Sequence, residues 1–234
     1  MICGLQKMTL LDYPGKIACT VFLGGCNFRC PFCHNSELFM GNPQKLMEDD
    51  AFFAFLNSRK GLLDGVCVSG GEPTLHKNLP EFLRKIKELG FLVKLDTNGS
   101  SPEVIKELAE KRLVDYIAMD VKNSPAMYPQ TVGLETMDLA PIEESLRFLL
   151  GGGIDYELRT TLVSQLHTKA SIQDMGVWLS SLVTGVKPKK LFLQSFVDRD
   201  TVLFAGLSAP ERETTEEFAK ILESFAEMVT IRNP

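Results

Sequence analysis

The sequence has 234 residues, of which 44% are hydrophobic and 24% are charged, and its formal net charge is -5. This composition is typical of a folded globular protein rather than a disordered or fibrous one. An acidic chain lacks the broad electrostatic attraction that nucleic-acid binding requires, and no apolar run reaches the length of a membrane span. We therefore expect neither nucleic acid nor a membrane as a partner, and the absence of a secretory leader pattern predicts a cytoplasmic protein.

Apolar runs of strand length alternate with amphipathic stretches of helix length along nearly the whole chain, which is typical of βα units around a parallel sheet. The predicted strands are residues 17–23, 64–69, 91–96, 116–121, 156–163 and 190–196. The predicted helices are residues 46–58, 78–89, 102–111, 141–150, 171–183 and 212–225. A partial barrel and an open doubly wound sheet both fit this α/β pattern, and both place ligands at the carboxyl ends of the strands. No linker or repeat interrupts it, so we expect a single domain over residues 1–234.

Three of the six cysteines, Cys26, Cys30 and Cys33, lie within eight residues of one another. This spacing allows one loop to direct three thiolates at a common centre, and soft thiolates select iron-sulfur clusters or zinc. A structural zinc would need a fourth ligand, for which His34 is the nearby candidate. Three cysteines without an evident fourth fit a 4Fe-4S cluster whose fourth iron is left for a ligand that is not protein. A zinc knuckle with His34, or three buried thiols without a metal, are the alternatives.

The pattern Cys26-x-x-x-Cys30-x-x-Cys33 resembles the signature of the radical S-adenosylmethionine (SAM) superfamily. Within it, GLQK (4–7), LDYPGK (11–16), FLGGCNFRCP (22–31) and CHN (33–35) resemble the activating proteins of anaerobic ribonucleoside-triphosphate reductases. The resemblance implies a partial (β/α)6 barrel and a 4Fe-4S cluster on the three cysteines, with SAM at the open iron. It implies that SAM is cleaved reductively to a 5′-deoxyadenosyl radical, which takes hydrogen from a backbone glycine of the reductase large subunit. The electrons would come from a donor such as flavodoxin or ferredoxin.

The second predicted strand is followed by the motif Gly70-Gly71-Glu72. Two adjacent glycines let a backbone approach a ligand closely, although such a pair on its own is more often a turn. The motif resembles the GGE motif of the superfamily, which implies contacts from this segment to the amino group of SAM.

The third and fourth predicted strands end in Asp96-Thr97-Asn98 and in Asp120-Val-Lys122. Asn98 followed by glycine would on its own indicate a turn. Two carboxylates beside an anionic SAM carboxylate would repel one another unless a cation or Lys122 compensates their charge. The segments resemble the DTNG and DxK segments of glycyl-radical-enzyme activases. This implies SAM contacts and a candidate monovalent cation at Asp96, Thr97 and Asp120, while Lys122 contacts SAM or substrate or is a solvated loop lysine.

The fifth and sixth predicted strands carry Arg159 and Gln194. A buried arginine needs an anion, which together with the resemblance points to the carboxylate or ribose of SAM. Gln194 could hydrogen-bond adenosine, or it could be an edge glutamine in water. His76 and His167 are isolated in the sequence, which is more typical of surface or capped histidines than of ligands. Residues 122–140 are the longest stretch without predicted structure and are a candidate active-site loop.

The resemblance therefore predicts an enzyme that generates a glycyl radical on anaerobic ribonucleoside-triphosphate reductase. Activation of another glycyl radical enzyme, such as pyruvate formate-lyase, is the first alternative. Residues 11–15 and 193–196 disfavour it, because formate-lyase activases tend to carry a histidine where Gln194 stands. A radical SAM enzyme acting on a small molecule, or a metal-binding module without activity, are further alternatives.

Overall fold

The computed structural model describes residues 2–40 and 44–232. In these ranges the strands are β1 Ile2–Thr9, β2 Ala18–Leu23, β3 Gly65–Gly70, β4 Leu92–Thr97, β5 Tyr116–Asp120, β6 Asp155–Leu162, β7 Leu191–Ser195 and β8 Val229–Arg232. The α-helices are α1 Asp49–Ser58, α2 Leu79–Glu88, α3 Pro102–Glu110, α4 Tyr128–Thr131, α5 Ala140–Leu150, α6 Lys169–Ser181 and α7 Arg212–Leu222. Short 3-10 helices cover Ser36–Leu38 and Pro73–Leu75. No helix in this part of the chain is long and apolar enough to cross a membrane.

The chain divides into two compact units, residues 1–27 with 37–118 and residues 28–36 with 119–234. In the first unit β1 pairs antiparallel with β2, and β2, β3 and β4 are parallel neighbours in sequence order. In the second unit β6, β7 and β8 are likewise parallel neighbours in sequence order. β5 begins in the first unit and ends in the second. The single domain expected over residues 1–234 remains a prediction.

Burial on both faces explains why the parallel strands read as continuous apolar runs. In β2 every residue except Phe22 is buried, and in β3 the residues from Gly65 to Val68 are buried. Cys19 and Cys67 are fully buried in these two strands. Burial raises the pKa of Cys19 to about 12, so this thiol stays protonated at neutral pH. The structure therefore assigns Cys19 to the core of the first unit.

Local signals in the sequence begin and end the helices. The hydroxyl of Thr168 accepts a hydrogen bond from the backbone N–H of Ser171, and the Ser171 hydroxyl accepts one from the N–H of Thr168, which forms a capping box at the start of α6. α3 begins at Pro102, whose missing N–H is no loss in the first turn. Gly90, with φ +94°, follows α2 and turns the chain into β4.

The six predicted strands correspond to β2 to β7, with each end within one residue of its predicted position. The α/β class with mostly parallel strands is confirmed. β1 and β8 were not predicted. α1 begins three residues later than expected, because the backbone N–H of Leu46 donates to the carbonyl of Ile2 instead of entering a helix. The interpretation of residues 122–140 as unstructured was wrong for Tyr128–Thr131, which form α4. Asn123 before this helix and Thr131 at its end are buried polar residues.

Candidate functional site

In the first unit, Gly70 and Gly71 bring the end of β3 against the loop that leads to Cys26. A Cβ atom at Gly71 would lie 1.9 Å from the carbonyl oxygen of Gly25. The backbone N–H of Glu72 donates to that same oxygen at 2.8 Å. Gly70 adopts φ +119°, which L side chains rarely tolerate. A side chain at Gly71 would therefore displace the loop that carries Cys26, and one at Gly70 would collide with the backbone of Leu23 at the end of β2.

The side chain of Glu72 is fully buried and is a hydrogen-bond centre of the first unit. Its carboxylate accepts from the N–H and the hydroxyl of Thr74, at 3.1 and 2.6 Å, and from the hydroxyl of Thr97 at 2.8 Å. It also accepts from the backbone N–H of Asn98 at 2.6 Å. Burial raises the pKa of Glu72, and these hydrogen bonds oppose that rise. Because the carboxylate is engaged by protein donors, a ligand contact from Gly70-Gly71-Glu72 would have to come from backbone atoms.

Asn98 connects the end of β4 to the residue that follows Cys26. Its side-chain amide donates to the Asn27 carbonyl oxygen Oδ1 at 2.9 Å, and the Asn27 amide donates to the hydroxyl of Ser100 at 2.9 Å. The N–H of Ser100 donates back to Oδ1 of Asn98 at 2.9 Å, which closes the cycle. Gly99 has φ +80°, as the expected turn requires. Asn98 therefore both forms the turn and orients the backbone beside Cys26.

Asp96 is paired with Lys94, a lysine that the sequence analysis missed. The Lys94 side chain is 1% exposed, and its ammonium donates to Oδ1 of Asp96. The hydroxyl of Ser69 donates to Oδ2 of Asp96 at 3.0 Å. Residues two apart in a strand project from the same face, so a lysine inside an apolar strand two residues before Asp96 was the available signal. The charge of Asp96 is thus compensated within the first unit.

In the second unit, Cys30 and Cys33 lie on a tight loop. The N–H of Cys33 donates to the carbonyl of Cys30 at 3.1 Å. Cys30 is buried and Cys33 is half-buried. The backbone N–H of Arg29 donates to the carbonyl of Val132 at 2.8 Å, directly after α4. The loop is therefore held from its N-terminal side by the segment that follows β5.

His34 holds the other side of this loop. Its Nε2 donates to the carbonyl of Val197 at 2.6 Å, and its ring stacks on Phe196 with centroids 5.6 Å apart. Burial lowers the pKa of His34, which favours the neutral ring. Because Nε2 is used as a donor to a carbonyl, this geometry does not favour His34 as a zinc ligand through that nitrogen.

Asp120 forms ion pairs with Lys122, as expected, and with Arg159, which was not predicted to lie near it. Its Oδ2 accepts from Lys122 at 2.8 Å and its Oδ1 accepts from Arg159 at 2.9 Å. The side chain of Lys122 is 14% exposed, so the interpretation of Lys122 as a solvated loop lysine is wrong. Since Asp120 already provides the anion for Arg159, the burial of that arginine does not require a ligand carboxylate. The contacts of Asp120, Lys122 and Arg159 with SAM remain predictions.

The ammonium of Lys122 also acts on the two cysteines of the second unit. Burial raises the pKa of Cys33, while the N–H of Asn35 and the charge of Lys122 act in the opposite direction. Burial alone would lower the pKa of Lys122, but attraction to Asp120 and to Cys30 raises it overall. Thiolates next to an ammonium fit the donor set that a soft metal or an iron-sulfur cluster requires.

The remaining predicted residues lie at strand ends. Gln194 is half-buried near the carboxyl end of β7, level with Thr161 in β6 and Arg232 in β8. Thr97 is buried at the end of β4 and donates to Glu72. With Asp96 and Asp120 both paired to side-chain cations, the electrostatic reason for a further monovalent cation is reduced, and that cation stays a prediction.

Cys26 belongs to the first unit, and Cys30 and Cys33 belong to the second. Among residues 2–40 and 44–232, no three His, Cys, Asp or Glu side chains are arranged as a metal site. Cluster binding by the three cysteines therefore remains a prediction from their spacing and donor chemistry.

Comparison with known proteins identifies relatives along nearly the whole chain. The radical SAM superfamily matches residues 20–166. A protein of Methanocaldococcus jannaschii assigned as a glycyl-radical enzyme activating enzyme is 32% identical over 99% of this chain and 95% of its own length. The pyruvate formate-lyase-activating enzyme of Listeria monocytogenes is 31% identical over 94% of each chain. A radical SAM methyltransferase from Sphaerobacter thermophilus superposes with a TM-score of 0.74 at 17% identity, over 97% of this chain and 68% of that one, which supports the fold.

Proposed function

Because the chain belongs to the radical SAM superfamily, and within it to the glycyl-radical enzyme activating enzymes, we propose that it activates an anaerobic ribonucleotide reductase. Enzymes of this family use a 4Fe-4S cluster and SAM. The observation that carries the proposal is the similarity to a glycyl-radical enzyme activating enzyme over 99% of this chain. The choice of a reductase as target is supported by the resemblance of residues 11–15 and 193–196 to reductase activators.

In this proposal Cys26, Cys30 and Cys33 hold the cluster, which when bound supplies the electron and the open iron for reductive cleavage of SAM. Lys122 compensates the charge of thiolates at Cys30 and Cys33. Glu72 and the glycine pair hold the loop that leads to Cys26. The residues at the strand ends would bind and orient SAM, which would supply the radical chemistry that acts on a glycine of the partner protein.

Anaerobic reconstitution with iron and sulfide tests the first part of the proposal. We expect about four irons and four sulfides per chain, and formation of 5′-deoxyadenosine and methionine from SAM after reduction with dithionite. Cys30→Ala should abolish both products. Cys19→Ala is the matched control, because Cys19 is a buried, protonated thiol. Binding of one zinc per chain, or a loaded cluster that does not cleave SAM, would reject the proposed radical SAM activity.

The target is tested by adding purified large subunit of an anaerobic ribonucleotide reductase to the reduced enzyme and SAM. A glycyl radical signal in the electron paramagnetic resonance spectrum, lost with Cys30→Ala, is the expected result. Pyruvate formate-lyase is the second candidate target, favoured by 31% identity to its activating enzyme in Listeria monocytogenes. A radical on formate-lyase alone would move the assignment to that partner. SAM cleavage stimulated by a metabolite, without a protein radical, would indicate a small-molecule substrate.

A further inference from the structure

His167 is a buried histidine that joins the end of β6 to the segment after β5. Its side chain is 3% exposed. Nε2 lies 2.9 Å from the carbonyl oxygen of Lys122, and Nδ1 accepts from the N–H of Val163 at 3.1 Å. A carbonyl oxygen can only accept, so Nε2 carries the proton. Nδ1 also lies 3.2 Å from the carbonyl oxygen of Val163, but burial lowers the pKa of His167, which favours the neutral ring with Nδ1 as the acceptor. His167 is therefore not a surface residue, and both of its ring nitrogens are capped by backbone groups.

Asn123 is the residue after Lys122 and fixes the same segment through its side chain. Its side chain is fully buried, and its amide donates to the carbonyl of Leu166 at 2.8 Å and to the hydroxyl of Thr131 at 3.0 Å. Its carbonyl oxygen accepts from the N–H of Ser124 at 2.8 Å. Every donor and acceptor group of this amide thus has a partner. A buried polar side chain that is satisfied in this way fixes the position of the backbone around it.

The segment that His167 and Asn123 hold is the one that supports the cysteine loop. The carbonyl of Val132, one residue after α4, accepts from the N–H of Arg29, and a Cβ atom at Gly133 would lie 2.2 Å from the carbonyl oxygen of Arg29. Arg29 directly precedes Cys30. At the other end of the segment, Lys122 extends its ammonium to Asp120 at 2.8 Å.

We propose that His167 and Asn123 are positioning residues that hold Lys122 and α4. They thereby fix the position of the Lys122 ammonium relative to the loop of Cys30. The inference rests on the proposed function only in that the cysteines would hold a cluster, and it does not depend on the partner. This position matters because the charge of Lys122 interacts with Cys30 and Cys33. A positive charge beside an iron-sulfur cluster favours its reduced state, since net charge is one determinant of cluster potential.

The midpoint potential of the reconstituted cluster tests this inference. Lys122→Met should shift it to a more negative value, and His167→Phe should shift it in the same direction, because the ring no longer donates to the Lys122 carbonyl. His167→Gln, which keeps a donor, should recover most of the shift. The double variant should have the potential of Lys122→Met alone, since coupled residues are not additive. Tyr156→Phe is the control: it removes a hydrogen bond of 3.1 Å to Lys189 at the opposite end of β6, and should leave the potential unchanged.

A wild-type potential for His167→Phe, or additive shifts in the double variant, would overturn the proposal. If His167→Phe does not fold, Thr131→Val removes the contact to Asn123 with little change of shape and is expected to shift the potential in the same direction. If the protein takes up zinc instead of a cluster, the proposed function fails while this inference stays testable. Urea unfolding of the metal-free full chain should then show non-additive losses for His167→Phe and Lys122→Met, and additive losses would reject the coupling.

Discussion

The carboxylate of Glu72 accepts a hydrogen bond of 2.6 Å from the backbone N–H of Asn98. This bond fastens the chain after β3 to the chain after β4. Since Asn98 also contacts Asn27 beside Cys26, the carboxylate organises the backbone on which one of the candidate cluster ligands is carried.

Replacement of Glu72 by glutamine should destabilise the protein by about 1–3 kcal/mol, the range for a buried group left without its partner. The amide of glutamine would present a donor to the N–H of Asn98, which is itself a donor. Urea unfolding followed by circular dichroism measures the loss. Glu81→Gln serves as the control, because Glu81 is half exposed and forms a surface ion pair with Arg84 in helix α2. Equal unfolding midpoints for the two variants would contradict the role of Glu72.

Gly71→Ala should displace the loop before Cys26, because the new Cβ atom would lie 1.9 Å from the carbonyl oxygen of Gly25. We expect a stability loss of about 1–3 kcal/mol, as for overpacked sites, and a lower iron content after reconstitution. Gly153→Ala is the matched control, because a Cβ atom there has nothing within 4 Å. Iron content equal to that of the control would show that the close approach of Gly71 does not determine the loop.

The strands that were predicted correctly share one property, which is burial in a parallel sheet. Ala18 to Leu23 is a continuous apolar run because both faces of β2 are covered. β1 was missed because Gln6, Lys7 and Met8 are exposed, so that its sequence has no apolar run and no regular alternation. α4, with four residues, is too short to show helical periodicity.

The candidate ligands could be found from spacing, but the residues that hold them could not. His167 contacts a carbonyl 45 positions away in the sequence, and its burial depends on how β6 and the segment after β5 meet. Neither the contact nor the burial can be read from the residues next to His167 in the sequence. Lys94 differs, because its position two residues before Asp96 in a strand already places both side chains on one face. Local pairs are therefore predictable from sequence, and long-range polar contacts require the structure.

Lys94→Met should destabilise the protein by about 3–5 kcal/mol, the range for a buried ion pair that loses one partner. The carboxylate of Asp96, 16% exposed, would lose the ammonium of Lys94 and keep the hydrogen bond from the hydroxyl of Ser69. The double variant Lys94→Met/Asp96→Asn should lose less than Lys94→Met, because it removes the uncompensated charge. Urea unfolding of the three proteins measures both effects. A double variant less stable than Lys94→Met would show that the ion pair is not the source of the loss.

The stability of the cluster-free protein should decrease as the pH falls through about 6.5, the pKa of histidine in an unfolded chain. Burial is the leading cause that lowers the pKa of His34, His76 and His167 in the folded protein. Between these lowered values and about 6.5 the unfolded chain binds protons that the folded protein does not, so the free energy of unfolding rises with pH in this window. Urea unfolding at about pH 5.5, 6.5 and 7.5 measures the slope. His167→Gln removes one of the three groups and should make the slope shallower, whereas an unchanged slope would mean that His167 binds its proton equally in both states.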